Sequence, residues 1–330
     1  MPGFPAFIAL LVLLAGPAGA QETRDRPSGA GAFPDRPARI LVGFAAGGTG
    51  DLIGRLVAEM VSPRFGQTVV VENRTGANGM IAAEATAHAA PDGYTVMMCP
   101  TGGMTVLPEL PGNRLPVDVR TELAPIANVA FSSYGLVVGA KSPYRSVQDL
   151  LAAARARPGA LSFASVGNGS VQHLAGERLK RAAGVDMLHV AYRGASLAVV
   201  DLIALRTDMM ITNLGDVVRQ VQDGALRLLA VGDDLGHPIF PDAPPISAAV
   251  PGFQVTSWLG ICGPRGMPPE VTARWAEAIL AGLAEEGAQK RLLDNGLRPL
   301  PEGPDAFAAR IARDRATWGE VIWAAGIRAD

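Results

Sequence analysis

Apolar residues recur along this chain in short runs, each followed by a polar, glycine-bearing turn and then by apolar positions three and four apart. The runs predict strands at 39–44, 68–72 and 94–98, with helices at 50–64 and 79–89. An irregular stretch rich in Pro, Gly and Asn fills 100–120, and strands follow near 125–130 and 135–139. The alternation then resumes with helix 146–156, strand 161–165, helix 170–182, strand 187–190 and helix 195–204. It continues through strand 207–211, helix 214–223 and strand 226–231. Such alternation builds parallel sheets covered by helices, joined by right-handed crossovers.

A proline-rich segment at 238–252 leads to strand 257–262 and to helices at 269–284, 286–295 and 304–325. These last pieces bring no partner strands of their own, so they are expected to return to the first half. The fold class read from this order is α/β with two lobes, 34–128 with 254–330 as the first and 129–253 as the second. Two hinge crossings, near 128–136 and 252–258, would join them, leaving a cleft at the carboxyl ends of the strands. Upstream, the apolar run 7–15 and the small residues Ala18-Gly19-Ala20 before Gln21 form a secretory signal peptide at 1–20, although Met1 to Pro5 carries no Lys or Arg. Residues 21–33 are polar and read as a disordered leader.

Four stretches run from strand through a glycine turn into a helix: 38–54, 69–83, 161–174 and 188–201. Each aims backbone N–H groups and the positive end of a helix dipole at one spot, which is the makings of an anion site. In the first, Phe44, Ala46, Gly47, Gly48, Thr49 and Asp51 are candidate ligand contacts, with helix capping the competing role for Asp51. In the second, Asn78 stands in a Gly-Ala-Asn-Gly turn whose residues tolerate positive φ. In the third, Ser165, Gly167, Asn168, Gly169 and Ser170 form a nest of small residues, with His173 one turn further on. In the fourth, Tyr192, Arg193 and Gly194 offer a hydroxyl, a guanidinium suited to a carboxylate, and a helix start.

Other chemistries fit less well. Gly48, Gly50 and Gly54 miss the dinucleotide spacing by one residue. Gly-x-Ser-x-Gly is absent around Ser170, so a secreted hydrolase using Ser170 and His173 is the weaker alternative. No His or Cys cluster has metal-ligand spacing, and no cofactor is expected. The formal net charge of −2 and aromatic content of 5% leave no electrostatic or stacking footprint for nucleic acid. Cys99 and Cys262, the two cysteines, are read either as small buried side chains or as a disulfide between neighbouring strands.

With those residues in view, the chain resembles the Bug family, the extracytoplasmic substrate-binding proteins of tripartite tricarboxylate transporters. The resemblance rests on Pro34-Asp35-Arg36-Pro37, Ala46-Gly47-Gly48 with Asp51 and Arg55, and Val70-Val71-Glu72-Asn73-Arg74 with Gly76-Ala77 and Gly79. It continues through Asp92-Gly93-Tyr94-Thr95, Gly167, Gly169-Ser170 with His173-Leu174, Tyr192-Arg193-Gly194, and Trp258 with Gly260 and Gly263-Pro264. It implies a type II-like periplasmic-binding-protein fold, a Venus flytrap closing on a small mono- or dicarboxylate in the periplasm. It further implies a monomer whose partners are membrane transporter subunits or, alternatively, a sensor protein. Thr212 stands where the family often has an acid before Asn213-Leu214, and Asp51 is the acid placed nearest the cleft. A carboxylate lacking an amino group is therefore the expected ligand.

Overall fold

The computed structural model describes Gly3 and residues 33–325. Chain contacts divide the protein into Met1–Phe33 and Pro34–Asp330, and the account below concerns the second unit. The signal peptide and most of the leader lie outside the described residues.

The first part runs β1 (Ala38–Val42), α1 (Thr49–Phe65), β2 (Val69–Asn73), α2 (Met80–Ala87) and β3 (Thr95–Pro100). In α1, buried Ile53, Leu56, Val57, Met60 and Val61 recur at helical spacing and form one apolar stripe. Gly66, in the left-handed conformation at φ 64°, ends the helix. β1 pairs in parallel with β2 on one side and β3 on the other. Strands β1 and β3 are nearly continuous apolar runs because helices cover both faces of the sheet.

Then comes β4 (Leu123–Gly139), a single strand of 17 residues where the sequence suggested two. It leads into α3 (Val147–Ala156), β5 (Ser162–Ser165), α4 (Val171–Ala183), β6 (Leu188–Ala191), α5 (Ala195–Ile203) and β7 (Met209–Asn213). The helix expected over 214–223 is broken: a 3₁₀ turn covers Leu214–Asp216, and α6 is only Val218–Gln222. The chain then passes through β8 (Leu226–Val231), β9 (Thr256–Pro264), α7 (Pro269–Leu283), α8 (Glu286–Asp294), β10 (Leu297–Glu302) and α9 (Pro304–Ala325).

Strand order is β2-β1-β3-β9-β4-β7-β5-β6, with β8 and β10 also paired to β4. β4 is the common member. Its residues 123–133 lie antiparallel to β9, while Tyr134 to Gly139 lie antiparallel to β7 and β8. Two sheets thus share one strand, and the change of partners between Ser133 and Tyr134 falls inside the expected hinge region 128–136. β10 corrects the expectation that the last segment holds no strand. It pairs antiparallel with β4, from Leu297↔Ser132 to Glu302↔Asn128.

Cys99 and Cys262 are joined in a buried disulfide. It ties β3 to its neighbour β9, which otherwise returns from the far end of the sequence. Among the described residues no helix is long and apolar enough to cross a membrane.

Candidate functional site

The glycine turns of the two sheets meet. Ala45 N donates to Arg193 O at 3.2 Å, and Ser196 Oγ donates to Ala46 O at 2.9 Å. Gly194 has no side chain to obstruct this approach: a Cβ there would stand 2.8 Å from Ala45 N. Behind the seam lies a cavity of about 50 Å³. A single water needs roughly 10–15 Å³, so this is room for a few waters or one small anion.

Five of the residues singled out from sequence line the cavity: Phe44, Gly48, Thr49, Asn78 and Ser170. Gly48 and Thr49 open α1, whose N-cap makes no side-chain hydrogen bond. Ser170 caps α4 by accepting from His173 N at 3.1 Å, and the neighbouring Val171 and Gln172 also face the cavity. Asn78 sits at φ 52°, ψ 41°, a left-handed conformation that asparagine tolerates better than most residues. Its Nδ2 is buried and makes no hydrogen bond within the protein.

The remaining candidates do other work. Asp51 braces the first turn, accepting from Gly47 N at 3.0 Å, Arg55 Nε at 2.9 Å and Asn73 Nδ2 at 3.0 Å. Burial alone would push its carboxyl up, but these donors together hold it below the ordinary carboxylate range. Ala46, Gly47 and Asn168 are exposed on the turns. Ser165 Oγ bonds His189 Nε2 at 2.6 Å and accepts from Gly167 N at 3.1 Å, which folds the nest back on its own strand. Gly169 faces away from the cavity: a Cβ there would strike Leu107 and Leu110. His173 Nδ1 accepts from Gly169 N at 3.1 Å, and its ring stacks on His189 with centroids 4.0 Å apart. The pairing that a hydrolase would need is thus replaced by two backbone hydrogen bonds, one to Ser170 and one to His173. Tyr192 donates to Asp201 at 2.8 Å, and burial together with that bond pushes its phenol up to about 12.

The structure does not bring Arg193 to the cavity. Its side chain is exposed and outside the cavity wall; its contribution to the seam is the main-chain carbonyl. Arg193→Ala is expected to leave affinity within about twofold of wild type by calorimetry, since a solvated charge contributes little. A loss of tenfold or more would return the guanidinium to the site.

The sequence reading missed the far wall. Tyr134 of β4, Asn213 at the end of β7 and Ser257 of β9 converge there, with Ser257 Oγ donating to Asn213 Oδ1 at 2.7 Å. Beside them is Asp216, 8% exposed. Its Oδ1 accepts from Thr49 N at 2.8 Å and from Thr49 Oγ1 at 2.6 Å, across the seam; its Oδ2 accepts from Thr212 Oγ1. Burial raises the Asp216 carboxyl above its ordinary range, opposed by hydrogen bonds from Thr212 and Thr49 and by the Asn213 side chain. Thr212 itself is fully buried, one step behind the wall. The signal available in the sequence was an acid four residues after Thr212, within reach of its hydroxyl. With an acid on the wall, the premise for expecting a ligand without an amino group falls away.

Residues 53–327 match the family described as the tripartite tricarboxylate transporter family receptor. The chain belongs to that family. A relative from Pseudomonas sp. (strain P51), named for the tcbD-tcbE intergenic region, is 36% identical over 293 residues, covering 88% of this chain and 87% of its own. A solved structure described as a periplasmic transporter is similar at a TM-score of 0.87 and 33% identity, covering 91% of this chain and 100% of its own. Another, the R. palustris protein Rpa4515 with adipate, is similar at 0.86 and 31% identity, covering 90% and 99%. The receptor family is non-catalytic, and among the described residues no group of three or more His, Cys, Asp or Glu is placed to hold a metal.

Proposed function

We propose that this receptor works in the periplasm as a monomer, captures a small organic carboxylate between its two lobes and hands it to membrane subunits of a tripartite transporter. One observation carries the reading: Asn78 Nδ2, a buried donor without a protein partner, lies on the wall of the cavity. An unpaired buried donor is costly, so an acceptor belongs against it. The start of α4 at Val171 and Gln172 adds N–H groups and a favourable dipole for that acceptor's negative charge. The adipate held by the R. palustris relative is a carboxylate of this kind.

The lobes we assign are 34–128 with 254–330, and 129–253. Movement about the partner change in β4 and about Val255, whose N–H donates to Gly232 O at 2.7 Å, would open the seam and admit the ligand.

Native mass spectrometry of the protein as purified should show a retained organic acid, which then serves as the calorimetric probe. Asn78→Asp keeps the size and the tolerance for positive φ but replaces the donor with a negative acceptor. It should weaken that acid by roughly 1.5–3 kcal/mol, about 10- to 150-fold, the range for a hydrogen bond to a charged group. Unchanged affinity in a folded Asn78→Asp protein would defeat the reading.

A further inference from the structure

Asp216 is the one acidic side chain among the described residues that line the cavity; no Lys, Arg or His shares the wall. A ligand carboxylate can therefore be met only by neutral donors, and these lie around Asn78 and the start of α4. The start of α1, also on the wall, is already served by the protein's own carboxylate. Thr49 N is an obligatory donor, so Asp216 Oδ1 must accept from it, and the two threonine hydroxyls complete the same arrangement. The first glycine turn, which in sequence looked like an anion site, is filled from within.

We infer that Asp216 makes this cavity select monocarboxylates whose opposite end is a hydrogen-bond donor, a hydroxyl or an ammonium, and reject dicarboxylates. The inference rests on the carboxylate reading above and narrows it. A second carboxylate that reached Asp216 would set two carboxylates side by side against a buried side chain, where like charges repel strongly. A hydroxyl or ammonium in that position meets an acceptor instead. Asp216 has lone pairs beyond the three named bonds, and the Thr49 and Thr212 hydroxyls can rotate to accept.

The test uses ligands of one backbone and varied end group: butyrate, 4-hydroxybutyrate, 4-aminobutyrate and succinate, with the matching three-carbon series. Calorimetry on the wild-type protein should rank a hydroxy or amino acid at least about tenfold above the dicarboxylate and the plain acid of its series. The hydroxy and amino arms show which donor the site takes. In Asp216→Asn the amino acid should lose its advantage and the dicarboxylate should gain about tenfold, since repulsion is removed and an amide donor appears. Should that variant fail to fold, the wild-type ranking decides alone. Succinate or malonate binding best to wild type would overturn the inference and leave the carboxylate reading standing. Failure of every acid in both series would overturn both.

Discussion

A valine in place of Gly194 is expected to hold the two lobes apart and weaken ligand binding by about 1–3 kcal/mol, roughly 5- to 150-fold, the usual cost of forcing side-chain atoms into a packed contact. The geometry leaves no room. A Cβ at position 194 would lie 2.8 Å from Ala45 N and 2.9 Å from Ala45 Cβ, and the Ala45 N–Arg193 O bond passes through the same contact. Neither atom belongs to a flexible chain end that could swing aside. The buried cluster that reaches from Leu41 and Met97 to Phe163 and Ile211 does not include this contact, so thermal stability should fall far less than affinity. Gly184→Val is the control: Gly184 also has positive φ, but a Cβ there meets nothing within 4 Å. Small-angle scattering with ligand should show Gly194→Val remaining more expanded than wild type. Wild-type affinity in Gly194→Val, or equal losses of binding in both variants, would show that the contact does not govern closure.

Removing the disulfide should have the largest effect on stability. Cys99 and Cys262 are separated by 163 residues in sequence, and closing so long a loop in the unfolded chain corresponds to about 5 kcal/mol on the chain-entropy estimate. For a protein of this size that converts to a fall in Tm of roughly 8 °C. The Cys99→Ala, Cys262→Ala double variant tests it by calorimetric melting. Because the bridge is buried between β3 and β9, the native protein should also resist mild reductant until it is heated. A double variant that melts with wild type would mean that sheet pairing alone sets the stability.

Much of the fold was legible because its signals are local. The helical spacing of apolar residues in α1 and the nearly continuous apolar runs of β1 and β3 each announce one element. What escaped depends on partners distant in sequence. Ser132-Ser133-Tyr134 reads as a break between two strands, yet β9 and β7 hold those residues extended on either side of the partner change. β10 carries Pro299 and Pro301, which argue against a strand; it survives by pairing on one side only, with β4. The site divides in the same way. Glycine turns located the seam, because φ/ψ freedom is written in residue type. Side-chain direction is not: Arg193 had suitable chemistry and points to solvent, while Asp216, inside an apparently helical stretch, reaches Thr49 from 167 positions away.

The two cysteines of the chain lie together in one buried bridge, so the native protein offers a maleimide dye no thiol. A single cysteine introduced at Ala46 would be the only reactive one. Ala46 is exposed and engages Ser196 through its carbonyl alone, so its side chain is free to change. A polarity-sensitive fluorophore attached there would sit on the rim where the turns meet, and its emission would report capture without background labelling.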